Sequence, residues 1–118
     1  MTSQGTAAAR FQRAIQRRNV LLAETSAREL GGLSLSEALS LCLLYEVEGD
    51  PRFERAFRRW LRRIRVEHGL SHRQVELLRS AAGALSTPFR DLAVAVLEGV
   101  CLELRLPRPT RSDAAREL

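Results

Sequence analysis

Four groups of side chains in this sequence have types and spacings that chemistry could use. His68 and His72 stand four residues apart, a metal-holding spacing on one helix face, but Gly69 and Leu70 place a helix break between them. With Glu67 and Glu76 the only further ligands nearby, the pair is expected at helix ends, exposed and metal-free. Cys42 and Cys101 lie in strongly apolar stretches without CxxC or Cys/His spacing, which suits small buried hydrophobes and not a zinc site. Glu46, Glu48, Asp50 and Glu54 form one acidic cluster. Such carboxylates can serve hydrolysis, yet no nucleophile, glycine-rich phosphate loop or cofactor motif accompanies them. They are expected to pair with Arg52, Arg55 or Arg58 across a turn. No catalytic residue, metal or cofactor is expected, and the chain reads as non-enzymatic.

The fourth group is the stretch "FERAFRRWLRRIR", Phe53 to Arg65, in which six arginines and one glutamate surround Phe53, Phe57, Trp60, Leu61 and Ile64. At 100° per residue Arg52, Arg55, Arg59, Arg62 and Arg63 fall within an arc of about 100°, with Arg58 and Arg65 beside them and the apolar stripe opposite. From Arg52 to Arg65 this makes a basic ridge roughly 20 Å long, able to follow phosphates or meet an acidic protein. No aromatic shares that arc, which removes the stacking surface that single strands use. Trp60 belongs to the opposite stripe, as a core anchor.

Charge supports a local reading of the ridge. The net charge is +5, but residues 50–68 hold seven arginines against three acids, whereas 30–49 hold three acids and no arginine. All 19 basic residues are arginine, a bias that a GC-rich genome produces by codon usage alone. Aromatics are only 5% of a chain that is 45% apolar, so the core is built from Leu, Val and Ala, which favours helices. The first residues turn polar and charged where a secretion signal needs an apolar run, and no apolar run approaches the ~20 residues that span a bilayer. A cytoplasmic protein without a membrane contact is expected.

The elements that position these groups are marked by start and stop signals. A first helix is predicted from Ala7 to Leu30, stopped by Gly31-Gly32. Ser34 with Glu37 forms a capping box that opens a second, closed by Gly49. Asp50-Pro51 opens a third, which ends at Gly69. Ser71 with Gln74 opens a fourth, and Thr87-Pro88 a fifth that persists to about Leu104. The second, "LSEALSLCLLYEV", is apolar nearly all round and should be the most enclosed. The fifth places Phe89, Leu92, Ala93, Val96, Leu97, Val100, Cys101 and Leu104 on one stripe, expected to lean on the same core as the third. Residues 1–6 are expected to be disordered, 7–105 to form one helical domain, and 106–118 to be a flexible tail containing proline and arginine.

These signals repeat. A shift of 37 residues lays Ser34 on Ser71, Glu37 on Gln74, Leu41 on Leu78 and Asp50-Pro51 on Thr87-Pro88. The pattern resembles a pair of HEAT-type αα-hairpins with the first helix covering one end, and a compact helical bundle is the alternative arrangement. The stretches "AETSAREL", "LSLSEALSLCLL" and "DPRFERAFRRWLRR" resemble a group of small actinobacterial proteins, which implies an all-helical fold and a high-GC host. The run "GLSHRQVELLRSAAGALSTPFRDLA" is similar to the start of a LuxR-type helix-turn-helix, with Arg73, Glu76, Leu77 and Leu78 matching. The helix that follows reads "LAVAVLEGVCLEL", too apolar to enter a major groove. The functional expectation is therefore a protein-interaction or adaptor module, monomeric or weakly dimeric, with an acidic protein as partner; a nucleic-acid-binding accessory protein using the ridge is the alternative.

Overall fold

The computed structural model describes residues 6–110 and, within them, is all-helical. Six helices follow one another: α1 (Ala7–Gln16), α2 (Val20–Leu30), α3 (Leu35–Val47), α4 (Arg52–His68), α5 (His72–Ala84) and α6 (Arg90–Glu103). The first helix expected from the sequence is thus two. It breaks because Arg18 takes a left-handed backbone (φ 57°), with its N–H on the Ile15 carbonyl and that of Asn19 on Ala14, closing α1 as a glycine normally would. Asn19 then caps α2, its Oδ1 accepting from the Leu22 N–H at 3.0 Å.

The remaining boundaries follow their side-chain chemistry. Ser34 and Glu37 form the reciprocal capping box of α3, as do Ser71 and Gln74 for α5. Gly49 and Gly69 adopt left-handed backbones at the ends of α3 and α4, a conformation that side chains resist. Ahead of α6, Thr87 Oγ1 accepts from the Phe89 N–H at 3.1 Å and donates to the Ala84 carbonyl at 2.6 Å.

Each odd-numbered helix packs chiefly on its successor, giving three consecutive pairs, and the body measures 45 × 32 × 24 Å, elongated as a short stack would be. Two apolar clusters hold it together. Phe11, Ala14, Ile15 and Ala23 of the first pair close on Leu44, while Leu39, Trp60, Ile64, Leu78 and Leu97 centre the larger cluster of the other two. α3 serves both, which is why it is apolar all round and has eight of its 13 residues buried. Trp60, 1% exposed, satisfies its indole N–H on the Leu35 carbonyl at 2.9 Å.

One further expectation is corrected. Phe89 (66% exposed) and Leu92 (65%) do not lean on the core, because α6 is the last helix of the stack and has neighbours on one side only. Residues 106–110, assigned by their prolines to the flexible tail, lie against α3: Ser36 Oγ donates to the Pro107 carbonyl at 2.5 Å, the Thr110 N–H donates to Ser40 Oγ at 2.7 Å, and Pro109 is buried. Thr6, expected in the disordered N-terminus, caps α1 through Oγ1. The rest of both assignments, residues 1–5 and 111–118, lies outside the described residues.

Candidate partner-docking surface

The ridge on α4 divides into cations that hold the fold and cations that face outward. Arg52 belongs to the fold. It pairs with Glu24 of α2, binds Asp50 through Nε at 3.0 Å and Nη2 at 2.7 Å, and lies 5.0 Å over the Tyr45 ring. Tyr45 Oη in turn donates to Glu24 at 2.5 Å. The bonds from Arg52 hold the Asp50 carboxyl below its ordinary 3.8, and burial followed by the Glu24 bond pushes the Tyr45 phenol well above its ordinary 10.0. Arg63 is also engaged, donating to the Leu33 carbonyl at 2.7 Å and to Glu67 at 3.2 Å. Arg55, Arg59 and Arg62 are exposed and make no ion pair or hydrogen bond among the described residues. Arg58 and Arg65 are exposed in the same way.

Beside the outward-facing arginines runs a groove of about 440 Å³ between α3 and α4. Its floor and walls are Leu33, Ala38, Leu41, Cys42 and Tyr45 on one side and Ala56 and Trp60 on the other, and its rim is Arg59, Arg62 and Arg63. Ala38 and Ala56 account for the opening: two methyl side chains on neighbouring helices leave space that a leucine would close. The Tyr45–Glu24–Arg52 network stands at the Tyr45 end, and the bond from Arg63 to the Leu33 carbonyl braces the Leu33 end. The result is an apolar trough edged by cations, two of which, Arg59 and Arg62, have no counter-charge among the described residues. Such a surface is complementary in charge and polarity to an anionic segment with apolar side chains.

On the other flank of the ridge, a cleft of about 280 Å³ between α4 and α5 is lined by Arg58, Arg62, Arg65 and Arg79 with Leu61, Val66 and Val75. Arg79 is paired with Glu76. Val66, 76% exposed, is an apolar residue standing among cations.

The other candidate groups disperse. Glu46 pairs with Arg90 of α6 and Glu48 with Arg18, so of the expected arginine partners only Arg52 is used, on Asp50. Arg55 and Arg58 pair with none of the cluster: Glu46 turns to Arg90 of α6, Glu48 to Arg18 and Asp50 to Arg52. Among the described residues no three His, Cys, Asp or Glu side chains come together as a metal site, and His68 and His72 lie exposed on either side of Gly69. Cys42 and Cys101 are free and buried; burial pushes their thiols up to about 12 and about 11, the latter helped by Glu98, so neither is a nucleophile at neutral pH. No helix among the described residues is long and apolar enough to cross a membrane.

The positions of Arg55, Arg59 and Arg62 are legible from helical periodicity. The α3 wall is not, because it needs the knowledge that Ala38 and Ala56 face each other; an alanine in each of two adjacent amphipathic helices is the available signal. Fold and surface together define an all-α chain of three helix pairs carrying an arginine-edged apolar groove. No family model, curated protein or solved structure matches the chain.

Proposed function

We propose that this protein is a non-enzymatic, HEAT-like docking module whose α3/α4 groove receives an acidic, amphipathic segment of a protein partner. The observation that carries the reading is the pairing, in one place, of an apolar trough with Arg59 and Arg62 on its rim, cations that no carboxylate among the described residues neutralises. Apolar side chains of the incoming segment enter beside Ala38 and Ala56, and its carboxylates meet the guanidinium forks. Arg52 and Arg63 shape the ends of the trough instead of gripping the partner. The HEAT-like description rests on the three successive helix pairs and on the elongated body.

The nucleic-acid reading draws on the α4/α5 cleft, where four arginines converge. No aromatic lines that cleft, and one of its four arginines already has a carboxylate partner, so it ranks second. A titration separates the two. Trp60 is the chain's single tryptophan and lines the groove, so its emission reports filling directly. A synthetic helix of alternating Leu and Glu faces is expected to shift that emission in the wild type and not in Arg59→Glu/Arg62→Glu. A duplex DNA that binds with a steep salt slope, while the peptide leaves Trp60 unchanged, would overturn the docking reading.

A further inference from the structure

The last described helix carries a surface that nothing among the described residues covers. On α6, Leu92, Ala95, Gly99 and Leu102 recur at intervals of three, four and three residues, so they share one face, and all four are exposed, Leu92 and Leu102 at 65% each. Asp91 and Glu98 flank that face on one side and Glu103 on the other. The single arginine of α6, Arg90, is tied to Glu46 and the Leu85 carbonyl. This is therefore an acidic amphipathic helix with its apolar face outward, since Ala93, Val94, Leu97 and Cys101 anchor the opposite side in the core.

Gly99 adds an independent observation. It sits inside a helix, where glycine costs about 1 kcal/mol against alanine, and a Cβ built on it meets nothing within 4 Å. Nothing among the described residues gives a reason for its missing side chain. Close approach of another surface to the middle of the stripe does give one.

We infer that the α3/α4 groove is filled by α6 of a second copy of this chain, an inference that rests on the docking reading above and names its partner. The two surfaces are complementary in sign as well as polarity: Asp91 and Glu103 on the helix, Arg59 and Arg62 on the rim. Packing α6 against α6 would instead set carboxylates against carboxylates. A copy cannot fill its own groove, because α6 is fixed by its buried face and contributes nothing to the groove's lining. The contact is thus heterologous: each molecule offers one helix and one groove, and the contacts either extend head to tail or close as a ring or a reciprocal pair.

Sedimentation velocity of the full chain across micromolar to millimolar concentrations, at low and high salt, tests this. The wild type is expected to grow from monomer to dimer or larger species with concentration and to revert to monomer in high salt. Asp91→Arg/Glu103→Arg removes the helix and Arg59→Glu/Arg62→Glu removes the groove; all four residues are exposed, and circular dichroism confirms that each variant folds. Each alone is expected to stay monomeric, because its remaining surface lacks a mate. Two other combinations identify the occupant. Wild-type chain mixed with an excess of either variant is expected to stop at short, capped oligomers, and Leu92→Lys is expected to behave as the helix-deficient variant does. A wild type that stays monomeric throughout overturns the inference, as does an assembly that survives the α4 variant. If the wild type is monomeric yet Trp60 still answers the acidic peptide, only the self-occupant fails; if Trp60 stays silent, the docking reading fails with it.

Discussion

α4 and α6 present apolar stripes of the same spacing and meet different fates. In α4 the stripe buries Phe57, Trp60, Leu61 and Ile64 against α3 on one side and α5 on the other. In α6 the corresponding stripe splits: Leu97 and Cys101 reach the core, while Phe89 and Leu92 stay in solvent. Periodicity names a face, but position in the stack decides whether that face has a neighbour. Here the interior helix is enclosed on both sides and the last described helix keeps one face in solvent.

The largest expected effect tests the first half of this contrast. Trp60→Ala should destabilise the protein by about 3–5 kcal/mol, since it empties a buried ring site and orphans the Leu35 bond, whereas Leu92→Ala should change stability by less than about 0.5 kcal/mol. Chemical denaturation measures both. Similar values for the two would erase the distinction between the enclosed helix and the last described one.

A middle-sized effect sharpens the picture of how α6 is held. Beyond Glu103 the chain turns back along α3, so the Ser36–Pro107 and Ser40–Thr110 bonds supplement the one-sided packing of α6. Deleting residues 107–118 should cost about 1–3 kcal/mol, because Ser36 and Ser40 lose their tail partners. Hydrogen exchange should then quicken in α6 before α4. Unchanged exchange in α6 would mean that the strap does not secure it.

The thiols compare the two regions through pH. Folding raises both above their ordinary 9.0, Cys42 to about 12 and Cys101 to about 11, so above pH 9 the unfolded chain releases protons that the folded chain keeps. Their stabilising contribution is complete below pH 9 and is lost as pH climbs through 9 toward 11 and 12. Melting temperature should fall over that window, and less steeply in Cys42→Ala/Cys101→Ala. Labelling of the native protein should reach Cys101, on the terminal helix, before Cys42.

The smallest effect concerns the end of α6. Arg105 takes a left-handed backbone (φ 61°), with the Leu106 N–H on the Cys101 carbonyl at 2.8 Å, a geometry that favours glycine. Arg105→Gly should stabilise the fold by about 1 kcal/mol. The same change at Arg18 should gain less, because the Arg18 side chain also holds Glu48 and the Val47 carbonyl.

Those two arginines also explain where the sequence is opaque. Every glycine stop and both serine capping boxes could be read directly, because their chemistry is local. The break at residues 17–19 is closed by an arginine in the position a glycine usually fills, so the first two helices read as one, although Asn19 was there as a cap. The candidate site divides in the same way. Arg55, Arg59 and Arg62 face outward as helical geometry requires, but Arg52 and Arg63 are drawn off by Glu24 and Leu33, 28 and 30 residues away. Tertiary partners at that separation leave no mark on local periodicity.

α4 presents its arginines as the edge of a groove shared with α3. Amide and methyl chemical shifts, recorded as an acidic amphipathic helical peptide is added, show whether that groove is the docking surface. Shifts are expected to concentrate on Ala38, Leu41, Tyr45 and Ala56 and on the backbone of Arg59 and Arg62. Shifts that gather instead on Arg58, Arg65, Val75 and Arg79, with the α3 wall unmoved, would contradict it.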